Sequence, residues 1–80
     1  MDVDQLVTEA QSTLHKAIIA DVPFKDWRVR VIAAHEGVAN AFDMARRTLN
    51  PAPGSAVSWA LLNAEQFHRQ NAAELRAGVR

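Results

Sequence analysis

Apolar residues recur along this chain at spacings of three and four, the period of helices that turn one face away from water. The first stripe runs through Val3, Leu6, Val7, Ala10, Leu14, Ala17 and Ile18. The second takes in Phe24, Trp27, Val31, Ala34, Val38, Phe42, Ala45 and Leu49. The third takes in Val57, Ala60, Leu61, Ala64, Phe67 and Leu75. Strand-like alternation is confined to Arg28-Val29-Arg30-Val31, which runs on into a helical pattern.

Two breaks separate the stripes. Asp21-Val22-Pro23 is the first, since proline disfavours helix in the residue before it and suits the opening turn of the next. Asn50-Pro51-Ala52-Pro53-Gly54 is the second, followed by Ser55 as an N-cap. Gly78 supplies a C-terminal stop. The pattern predicts helices over 3–20, 23–49 and 55–77. Asp2 and Asp4 at the start of the first, Arg46 and Arg47 at the end of the second and Arg76 near the end of the third agree with the helix dipoles. Short connections make neighbours antiparallel. The expected fold is all-α: one domain, 1–80, forming an up-down-up three-helix bundle. Its central helix, ~40 Å long at 1.5 Å per residue, outreaches the first, unless it breaks near Gly37 into two shorter pieces.

Some apolar residues miss the stripes: Ile19, Val29, Ile32, Trp59 and Leu62. Val29, Ile32, Trp59 and Leu62 are read as an interface, because exposed apolar patches mark interaction sites and Trp is enriched at interface hot spots. Size supports that reading. Eighty residues build a marginal core, and the absence of Cys removes disulfides and thiol chemistry. Oligomerisation is the remaining supplement.

Formal net charge is zero, which argues against a nucleic-acid footprint. No apolar run approaches the ~20 residues of a membrane span. The acidic start, MDVDQ, lacks the basic opening of a signal peptide, so the expected location is cytoplasmic. Abundant Ala, with more Arg than Lys, points to a bacterial or phage source.

His35 and His68 fall on inner faces. In an antiparallel hairpin centred near Ala52 they lie at one level, with Asn71 a turn away. Two readings follow: a hydrogen-bonded polar layer of His35, His68 and Asn71 that fixes helix register, or a metal site completed by Glu9. The polar layer is the assignment adopted, with no metal and no cofactor. His15 lies off the stripe.

Two strings bear on other functions. Arg30 and His35 have the R-x4-H spacing that resembles HEPN-type ribonucleases, but Val31 stands where that family carries a polar residue, and Arg30 lies well around the helix from His35. Ala33-Ala34-His35-Glu36-Gly37 resembles the turn of a helix-turn-helix, but Asp43 occupies the apolar position that motif needs. Phosphate loops, nucleophile triads and H-E-x-x-H are absent. The expected function is therefore non-enzymatic: a small helical protein–protein interaction module, self-associating or a subunit of a larger assembly, such as a bacterial or phage accessory complex. The alternative is an oligomer that grips a small anionic ligand with Arg28 and Arg30, or Arg46 and Arg47.

Overall fold

A computed structural model describes residues 2–78 of the chain. Met1, Val79 and Arg80 of the expected 1–80 domain lie outside the described residues. The fold is three α-helices without a strand among those residues: α1 (Val3–Ile19), α2 (Phe24–Leu49) and α3 (Ala56–Ala77).

Local chemistry sets each boundary. The Asp2 carboxylate accepts from Gln5 N at 3.2 Å and caps α1. Pro23 opens α2, and its carbonyl accepts from Asp26 N and Trp27 N, both at 2.9 Å. α2 runs unbroken through Gly37 and ends at Asn50, which takes the left-handed conformation (φ 46°) that Asn tolerates better than most residues. Ser55 Oγ accepts from Ser58 N at 3.2 Å to start α3, and Gly78 (φ 75°) ends it with its N–H on the Leu75 carbonyl.

α2 is the middle element. α1 packs along one flank and α3 along the other, and no Cα of α1 comes within 8 Å of one in α3. The three helices form an up-down-up layer that does not close into a cylinder. Its Cα extents are 43 × 25 × 13 Å; the thinnest exceeds the ~4.6 Å width of one helix's Cα cylinder, so the helices are not coplanar. The radius of gyration, 13.5 Å, exceeds the ~12 Å of a compact chain of this length. The accessible surface, 5305 Å², exceeds the ~4,800 Å² of a compact monomer of this mass.

Leu14, Val31, Ala34, Val38 and Leu75 form the core, with Trp27, Ile32 and Phe42 packed against it. Ala39, Ala45 and Ala72 are almost wholly buried, small side chains that let helix backbones approach. Neighbouring residues at the start of α2 tie down both flanks. Trp27 Nε1 donates to the Ile18 carbonyl at 2.8 Å, at the end of α1. Arg28 donates from Nε to the Leu75 carbonyl at 2.6 Å and from Nη2 to the Arg76 carbonyl, at the end of α3. Carbonyls of a last helical turn have no partner within their own helix; these side chains supply a donor to Ile18 and Arg76 and a second one to Leu75, which Gly78 N–H also caps. The Glu36–Arg76 and Glu65–Arg46 ion pairs add modest cross-links between α2 and α3.

The open layer changes the burial expected from the stripes. Ile18, Phe24, Leu49, Val57 and Phe67 all lie on them, yet each is 46% exposed or more. The stripes are covered where they meet in the shared core of Leu14, Val31, Val38 and Leu75, and stay open beyond it.

Leu75→Ala should cost about 2–5 kcal/mol, because it empties a site where α3 meets the core. Trp27→Phe keeps most of the ring but removes the donor to Ile18. It should cost about 1 kcal/mol and speed hydrogen exchange in the last turn of α1 more than in α3. Denaturant melts and exchange mass spectrometry check both. Uniform exchange changes in Trp27→Phe would show that the indole N–H does not hold α1.

Candidate functional site

The two faces of the layer differ in chemistry. On α2, residues 24, 31, 35, 38, 42 and 49 fall within a sector of about 60°: Phe, Val, His, Val, Phe and Leu. On α3, residues 57, 60, 64, 67, 71 and 75 fall within a sector of about 80°: Val, Ala, Ala, Phe, Asn and Leu. Neither sector holds an Asp, Glu, Lys or Arg; Val31, His35, Val38, Asn71 and Leu75 are already buried within the chain, so the open part of the face is Phe24, Leu49, Val57, Ala60 and Phe67, with Phe42 and Ala64 half-buried. At one end a cavity of about 380 Å³ is lined from all three helices, by Ile18, Phe24, Trp27, Val31, His35 and Leu75. Phe24 stacks on Trp27 at 5.8 Å between centroids. The other side of α2 lines a groove of about 550 Å³ whose border carries Lys16 and Arg30.

The histidines meet beneath the uncharged face. His35 Nδ1 lies 2.9 Å from His68 Nδ1, one donating its proton and the other accepting. The residue numbers sum to 103, close to the register expected from the α2–α3 turn. Phe42 stacks on the His68 ring at 6.2 Å, and Phe67 meets it edge-on at 5.1 Å. Asn71 is buried and donates to the Phe67 carbonyl at 2.8 Å. The structure thus joins His35 to His68, while the Asn71 amide bonds within its own helix. No group of three His, Cys, Asp or Glu able to hold a metal forms among the described residues, so Glu9 does not complete one with the histidines. Burial pushes the His68 pKa below its ordinary value.

Of the arginines expected to grip an anion, Arg46 and Arg47 come together, on the Asp43 carboxylate and along a cavity of about 460 Å³ beside Pro51, Pro53 and Ser58, whereas Arg28 and Arg30 part. Arg28 caps α3. Arg46 reaches Asp43 at 2.8 Å and Glu65 at 3.4 Å, and Arg47 reaches Asp43 at 3.0 Å. The Arg46 Nε is buried without a hydrogen-bond partner, a cost its two carboxylates offset. Arg30 is exposed on the groove side of α2, about 140° around the helix from His35. The R-x4-H spacing therefore brings no Arg–His pair together.

The expected interface residues also part company. Ile32 is half-buried and packs against the core, and Leu62 is half-buried. Trp59 and Val29 are exposed, at 56% and 66%. With His35 level with His68, Trp59 stands level with residue 44, about 22 Å along α2 from Val29. The four do not form one patch. The structure instead exposes Phe24 and Phe67, which sequence reasoning had assigned to the inner stripes. A width count offers a signal: the apolar arcs of α2 and α3 are wider than one neighbouring helix can cover.

No helix among the described residues is long and apolar enough to cross a membrane. No protein-family model, curated protein or solved structure matches the chain.

Burial of His68 sets a pH dependence. A His with a lowered native pKa binds fewer protons folded than unfolded, so stability rises with pH in that range. Its contribution is complete above the ordinary value of 6.5 and is lost as pH falls below it. The melting temperature should drop between about pH 7.5 and about pH 5, and His68→Gln should flatten that slope. Parallel slopes for the two proteins would show that His68 does not set it.

Proposed function

We propose that this chain is a small helical protein–protein interaction module that uses its uncharged apolar face to pack against another protein chain. One observation carries the reading: the fold is a single helical layer with charge on one side and none in the central sectors of the other. Domains are built from two or more packed layers around a core, and a lone layer leaves half of that arrangement unmade. Phe24 and Phe67, each about six-tenths exposed, are large rings of the kind that anchor interfaces. Self-association and membership of a larger bacterial or phage assembly are both forms of this role. The anion-binding alternative has less support, since Arg28, Arg46 and Arg47 are engaged within the chain.

A photo-reactive phenylalanine analogue tests the reading. Placed at Phe67 in the cells that make the protein, it should yield a covalent protein adduct on irradiation. Placed at Lys16, beside the groove, it should yield little. Equal labelling from both positions, or none from Phe67, would remove the face from consideration.

A further inference from the structure

We propose that the missing layer is a second copy of this chain, packed face to face to give a six-helix dimer of two layers. The inference rests on the interaction reading above and names its partner.

Area is the first argument. The layer's extents of 43 × 25 Å outline a face on the order of 1,000 Å², and a standard interface takes about 800 Å² from each partner. A second copy has the same outline, so the two broad sides match in size.

Charge is the second. A two-fold interface is isologous, so residues near the axis meet their own kind. A charged residue there would face a like charge. The α2 sector holds no ionisable side chain except His35 and the α3 sector holds none; His68, hydrogen-bonded to His35, and Glu74 lie just outside its two edges. Arg28 and Arg46, at the edge of the α2 sector, are directed to α3 carbonyls and to carboxylates. Two such faces can be apposed without like-charge repulsion, and the chain's zero net charge adds no long-range penalty.

Shape is the third. The face presents both projections and a recess: the exposed rings of Phe24 and Phe67, and the cavity of about 380 Å³ beside Trp27, Val31 and Leu75. Self-association needs both halves of a contact on one surface, and this surface has them.

The test uses the purified full chain in sedimentation velocity across the micromolar range. The expected species is a dimer, of twice 8.8 kDa. Phe67→Glu and Phe24→Glu should each weaken association at least tenfold with circular dichroism unchanged, while Trp59→Ala, outside the face, should leave the dimer intact. If Phe67→Glu loses helix signal, Phe67→Ser reads the same contact without the added charge. A wild-type monomer at every concentration overturns the second copy. If the photo-adduct at Phe67 still forms in cells, the interaction reading survives with a different partner; if it does not, both fall. A dimer that persists in both glutamate variants but dissociates in Trp59→Ala places the contact elsewhere and also overturns the proposal. So does a monomer that floats with neutral phosphatidylcholine vesicles, which would make the face a lipid contact.

Discussion

The opening turns of α2 hold the arrangement of the other two helices. Trp27 and Arg28 are adjacent in sequence and point about 100° apart. One donates to the end of α1 and the other to the end of α3. The last carbonyls of a helix have no partner within it, and a side chain from a neighbouring helix that donates to one also fixes where that end lies. These contacts dock each outer helix against α2 and leave the outer helices apart. With α1 and α3 tied to separate flanks, α2 spreads its apolar arc over two neighbours, and no helix closes the space between them.

That arrangement explains what the sequence revealed and what it hid. The boundaries were legible because each rests on local chemistry: the Asp2 and Ser55 caps, the Pro23 break, the Asn50–Gly54 turn and the Gly78 stop. The meeting of His35 with His68 was legible because a short turn between antiparallel helices fixes register by counting. The fate of Ile32 was not. It lies about 120° around α2 from Phe42's neighbour Val38 on the side of α3, and a stripe drawn toward a single core direction excludes it. A central helix with two neighbours has a wider buried arc, and Ile32 belongs to it. Phe24 and Phe67 failed in the opposite sense. Periodicity reports which side of a helix is apolar, but not whether anything covers that side. The roles of Trp27 and Arg28 were hidden for a related reason: an indole on a stripe reads as packing and an Arg beside it as a solvated charge, until the helix ends they satisfy are in place.

The uncharged face and the histidine pair depend on each other. Two imidazoles would ordinarily bring polar atoms, and in acid positive charge, to an apolar surface. Here their facing nitrogens are spent on each other at 2.9 Å, and the His68 ring is stacked against Phe42 and edged by Phe67. The pair thus marks α2–α3 register, a use of buried polar groups seen in helical assemblies, while offering little polarity to a covering layer. The bond needs at least one neutral imidazole, since two imidazolium rings would point N–H at N–H. Protonation of both would therefore break the register contact and place charge under Phe67 in one step. While the bond holds, the pair sets α2–α3 register and adds no charge beneath the face.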